Sequence, residues 1–206
     1  MSPKAKIKTD GSTEEKIKDA ARRLFMQKGF EATRTRDIAT EAGINLALLN
    51  YYFRSKEKLF EIIVKENMGQ FMEIISNIVN NETTTIHEKI EVLVANYIDM
   101  LTQFPDMPLF VMNSIKDDPE RVKMRQRFHG SYFMKQINEA IKMGKITPMN
   151  PMNIMLNIVG LTIFPFVARP MFLNRGGITV EQFDVLMQER KKLIPGWIKS
   201  MLEIKK

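Results

Sequence analysis

Cysteine is missing from all 206 residues. That absence removes disulfide frameworks, thiolate nucleophiles, zinc fingers and iron–sulfur clusters together. Histidine is nearly as scarce, and neither His87 nor His129 belongs to a ligand cluster of the H-E-x-x-H kind. The chain also lacks a G-x-S-x-G elbow and a P-loop. Neither catalysis nor a metal or other cofactor is expected. Long apolar runs are missing too. The most apolar stretch, 152–173, contains Asn153, Asn157, Pro165, Arg169 and Pro170. Its longest run without charge or asparagine, 158–168, is too short for a bilayer about 30 Å thick. With no apolar leader behind the first residues, a cytoplasmic protein without a membrane partner is expected.

What is present is an ordinary globular composition, 44% hydrophobic and 27% charged, with a net charge of +7. That charge is unevenly placed: residues 1–60 carry 13 Lys+Arg against 8 Asp+Glu, a surplus of +5. A basic segment of this size suits a polyanion or is simply a solvated face.

The periodicity is helical throughout, predicting an all-α chain of about nine helices. Ser12-x-x-Glu15 has capping-box spacing and opens a helix over 13–28, closed by Gly29. Thr33 or Thr35 opens a second helix that stops at Gly43. Asn45 caps a third over 46–52, and Ser55 caps a longer fourth, broken at 80–85. Further helices are predicted over 86–104, 107–115, 119–143, 151–173, kinked or ended by Pro165 and Pro170, and 179–204, kinked or interrupted at Pro195-Gly196.

Residues 35–54 carry the functional signal. A helix-turn-helix needs a small residue where its helices cross, a residue that accepts positive φ in the turn, and apolar residues on the inward faces. Ala39, Gly43, and Ile38, Ala42, Ile44, Leu49 and Tyr52 fill those roles at the required spacing. The outward positions hold Arg34, Arg36, Asn45, Leu46, Ala47, Asn50 and Tyr51.

Within 12–60 the chain resembles the N-terminal domain of TetR/AcrR-type transcriptional regulators. The resemblance rests on Gly29-Phe30, Thr33, Asp37-Ile38-Ala39, Glu41-Ala42-Gly43-Ile44-Asn45, Leu49, Tyr51-Tyr52-Phe53 and Lys56-Glu57-Lys58-Leu59-Phe60. Residues 1–11, polar and basic with no periodicity, are expected to form a flexible arm; the resemblance implies a three-helix DNA-binding domain over 12–60 and a helical ligand-binding and dimerisation domain over 61–206. It further implies a homodimeric repressor that binds a palindromic double-stranded operator and leaves it when a small effector binds. The residues depart from the family at Arg34, Leu46 and Asn50, so base contacts must be argued from chemistry.

Asn50 can pair bidentately with adenine, and Leu46 and Ala47 can pack on thymine methyls. Tyr51, Lys56, Arg34, Thr35 and Arg36 suit phosphates, with Asn45 beside them. Lys4, Lys6 and Lys8 suit a minor-groove arm or a disordered one.

After residue 99 come 12 of 16 methionines and 8 of 13 phenylalanines. Phe104, Phe110, Met112, Phe128, Phe133, Met155, Phe164 and Phe166 can line a cavity for a mainly apolar effector or form ordinary core. Arg169 can meet an anionic ligand, pair with Asp99 or snorkel. Phe183, Met187, Ile194, Trp197 and Met201 are the candidate dimer face of the last helix. The alternative is a DNA-binding regulator whose second domain only dimerises or binds a protein.

Overall fold

The computed structural model describes residues 11–109, 111–112, 130–173 and 177–203. Nine helices are bounded among them: α1 (Gly11–Ala32), α2 (Thr35–Glu41), α3 (Leu46–Phe53), α4 (Lys56–Asn80), α5 (Ile86–Gln103), α6 (Tyr132–Lys142), α7 (Met152–Val167), α8 (Arg169–Leu173) and α9 (Val180–Leu202). The fold is all-α, as the periodicity predicts, and the described residues contain no strand. None of their helices is long and apolar enough to cross a membrane. The chain divides into two compact units, Met1–Gly69 and Gln70–Lys206, with the division inside α4.

In the first unit, α1 buries Ile17, Ala20, Ala21, Leu24 and Phe25, one helical stripe. Gly29 leaves helical geometry at φ 77°, a conformation glycine adopts without a Cβ penalty. Phe30 then joins Phe25 and Phe60 in a cluster with ring centroids 4.6–5.7 Å apart. The expected threonine cap of α2 is not seen. Arg34 stands at the N-cap, while buried Thr33 donates its hydroxyl to Gly29 O at 2.7 Å and Leu24 O at 3.3 Å. Thr33 thereby fastens the chain back onto α1.

The second unit is built around α5, which buries Ile90, Leu93, Val94, Tyr97, Ile98 and Leu101. Helices α6, α7 and α9 pack on it, and α8 lies against α7 and α9. The 151–173 helix is divided at Ala168, between its two prolines, into α7 and α8. Pro195 and Gly196 do not interrupt α9; the proline ring is buried, and packing sustains the helix past the missing N–H. Ser131 caps α6; most of the segment predicted as 107–115 and 119–131 lies outside the described residues.

Three helix starts make a testable acid response. The Glu57, Glu88 and Glu181 carboxylates are held below their usual value of 4.5. Backbone N–H groups at the helix starts are the main cause, followed by the hydroxyls of Ser55, Thr85 and Thr179. A depressed folded pKa gives stability that is present above the unfolded pKa and lost as pH falls through the folded one. Thermal melts should therefore show Tm declining as pH drops below 4.5, with less decline when all three are glutamine. Equal acid dependence in that triple variant would refute the assignment.

Candidate nucleic-acid interface

The turn between α2 and α3 is decided locally. Gly43 adopts φ 67°. Its N–H donates to Thr40 O at 3.1 Å and that of Ile44 to Ala39 O at 3.0 Å, the double closure of a Schellman motif. Nothing lies within 4 Å of a Cβ built on Gly43, so its backbone conformation rather than space requires glycine. Ile38, Ala39 and Leu49 are buried along the seam, and Asn45 caps α3 by accepting from Leu48 N–H at 2.8 Å. The Asn45 oxygen is thus occupied by the fold.

The other face of α3 is open. Ala47, Asn50 and Tyr51 are exposed, Leu46 and Tyr52 are half-buried, and Phe53 faces the core. Arg54 continues this stripe at i+4 from Asn50. Sequence reading missed it, although that spacing was available as a signal. Arg54 has φ 62° and ψ −43°, and Ser55 N–H reaches across it to Phe53 O at 2.7 Å. This is the rare, strained γ-turn. An open cleft of about 580 Å³ beside it is lined by Arg34, Thr35, Arg36, Asn50, Arg54 and Lys56, with Glu31 and Glu57 as its acids. Five of the sequence-predicted contact residues thus share one concavity.

Ion pairing sorts the basic surplus. Lys18 and Arg22 both meet Glu66, at 2.7 and 2.6 Å. Arg23 pairs with Glu41 at 3.0 Å, Lys28 with Asp37 at 3.6 Å and Lys58 with Glu61 at 2.7 Å. Arg34, Arg36 and Arg54 are exposed and have no ion-pair partner among the described residues. Positive charge on α1 is therefore paired at Lys18, Arg22, Arg23 and Lys28, whereas that of Arg34, Arg36 and Arg54 around the cleft is left to attract a polyanion. Lys56 departs from expectation. Its Nζ turns inward, donating to Phe30 O at 2.8 Å and lying 4.1 Å from the Phe30 ring centroid.

The predicted residues of the second unit are distributed differently from the expectation. Phe183, Met187 and Ile194 are buried on the inner face of α9 and cannot form a dimer face; its exposed stripe is Leu186, Leu193, Trp197 and Met201. Phe133, Met155 and Phe166 are core, Phe166 packing edge-on against Phe183 at 5.5 Å. Met112 and Phe164 are exposed, at 61% and 63%. Phe104 is the half-buried end of α5. Arg169 lies over the Phe183 ring at 5.6 Å, whereas Asp99 pairs with Lys191 at 2.7 Å. His87 meets Glu91 at 3.2 Å. Phe110, Phe128, His129 and the Lys4, Lys6 and Lys8 arm lie outside the described residues.

Comparison with known proteins agrees with this geometry. Residues 17–63 match the family described as bacterial regulatory proteins, tetR family. "Probable HTH-type transcriptional regulator YttP" of Bacillus subtilis is 26% identical over 171 residues, 79% of this chain and 81% of the relative. The "Fatty acid metabolism regulator protein" of the same organism is 26% identical over 113 residues, 55% of this chain and 57% of the relative. Among solved structures, a TetR/AcrR-family regulator from Thermobifida fusca shares the fold with a TM-score of 0.58 at 21% identity, covering 89% of this chain and 97% of that one.

Proposed function

Because the chain belongs to the tetR family and is a DNA-binding transcriptional regulator, we propose that it works as a homodimeric repressor on a palindromic operator and is released by a mainly apolar effector. The observation that carries the DNA-reading part is the exposed stripe of Ala47, Asn50, Tyr51 and Arg54, flanked by Arg34 and Arg36, which have no ion-pair partner among the described residues. In this reading Asn50, Leu46 and Ala47 meet base edges, while Tyr51, Thr35 and the arginines meet phosphates, with Asn45 holding the start of α3.

One helix-turn-helix offers a small surface, and two held one helical turn apart, about 34–36 Å, give operator affinity. The second copy is proposed to cover the exposed apolar residues Leu156, Gly160 and Phe164 of α7 and Leu193, Trp197 and Met201 of α9. The relative named for fatty acid metabolism supports an effector with an aliphatic body. The alternative second domain, which only dimerises or binds a protein, is favoured by the surface positions of Met112 and Phe164. A titration with long-chain fatty acids that leaves operator affinity unchanged selects that alternative.

Selection of bound duplexes from a random pool tests the whole reading, with a two-fold symmetric motif as the expected result. On the selected duplex, log affinity against log salt should fall with a slope of roughly −5 or steeper, as several phosphate contacts require. A slope near zero would remove the phosphate contacts from the proposal.

A further inference from the structure

Around the cleft, the three free cations do not share the same surroundings as the fourth, Lys56. We propose that Lys56 is an internal positioning residue rather than a phosphate contact, and that Arg54 is the phosphate contact at the α3–α4 junction. This rests on the reading that the first unit binds DNA. Lys56 is the first residue of α4, and its ammonium is hydrogen-bonded to Phe30 O at 2.8 Å and held over the Phe30 ring at 4.1 Å. Phe30 lies four residues before Arg34, and Thr33 between them is tied to Gly29 O. One lysine thus links the end of α1, which leads to Arg34 and Arg36, to the start of α4, which Arg54 precedes. It sets the spacing between arginines on the two sides of the cleft.

Arg54 has the opposite character. It is exposed, lines the cleft and has no ion-pair partner among the described residues. It also occupies a backbone conformation, φ 62°, that glycine would take with less strain. A strained position occupied by an arginine, where a glycine would serve the turn better, points to a task for the guanidinium. A planar fork of donors facing a cleft suits a phosphate oxygen.

The separating measurement is the salt dependence of binding to a mixed-sequence duplex, since each lost phosphate contact makes the log–log slope shallower by about 0.9. Arg54→Gly should flatten the slope by about that amount per protomer, with Tm equal to or above the parent's. Lys56→Met should weaken binding several-fold at every salt concentration with the parent's slope, measured where circular dichroism shows it helical. Lys56→Gln, whose amide can still donate to Phe30 O without charge, should recover most of the affinity, again with the parent's slope. The proposal is overturned if either Lys56 variant flattens the slope as far as Arg54→Gly does, or if Arg54→Gly leaves it unchanged. A parent protein whose binding ignores salt would instead refute the DNA-binding reading itself.

Discussion

Gly160→Trp is expected to turn the proposed dimer into a 23.9 kDa monomer without unfolding the protomer. Gly160 lies on the exposed side of α7, between Leu156 and Phe164 on successive turns, and a Cβ built there meets nothing within 4 Å. The protomer therefore has room for a larger side chain, and replacing a mid-helix glycine favours the helix by up to about 1 kcal/mol. A second copy packed on the same stripe has no such room, because glycine permits the closest helix approach and an indole there would separate the surfaces. Loss of the dimer leaves one reading helix per molecule. Operator affinity should fall toward the non-specific level, roughly a thousandfold or more. Sedimentation equilibrium and circular dichroism on the full chain check both halves. A variant that remains dimeric places the interface elsewhere. A variant that unfolds is replaced by Leu193→Glu, whose side chain is also exposed in the protomer.

Asn50→Ala is expected to abolish base preference at one position in each half-site. The Asn50 amide is exposed near the middle of the α3 stripe, and it offers a donor and an acceptor that match adenine N6 and N7. The pair discriminates by about 1–3 kcal/mol, and a symmetric dimer makes it twice. Because asparagine carries no charge, mixed-sequence binding and its salt slope should stay close to the parent's. Selection from a random pool reads the result directly. If parent and variant select the same motif, Asn50 is not the base reader and the thymine-methyl contacts of Leu46 and Ala47 must carry the specificity.

The features legible in the sequence are those fixed by neighbours in the chain. Asn45 caps α3 and Ser55 caps α4, because a side chain three residues from an orphan N–H needs nothing else. Gly43 makes the turn because its conformation is a property of one residue. Contacts between distant segments were much less legible. Met and Phe on α9 occupy two adjacent stripes, and periodicity alone does not say which is turned inward. Packing on α5 and α7 buries Phe183, Met187 and Ile194 and leaves Leu193, Trp197 and Met201 outside.

The shortage of cysteine and histidine, the helical period and the spacing of Ala39, Gly43 and Leu49 were enough to determine an all-helical chain with a helix-turn-helix near its start. These depend on composition and on interactions within a few residues. The tertiary structure decided which charges remain available: Lys18, Arg22, Arg23 and Lys28 of α1 are paired with Glu66, Glu41 and Asp37, Lys56 is drawn onto Phe30, and Arg34, Arg36 and Arg54 are left facing the cleft. A long cationic side chain reaches any acceptor within several ångströms, so its partner depends on where other helices bring carboxylates and carbonyls, which the local sequence does not specify.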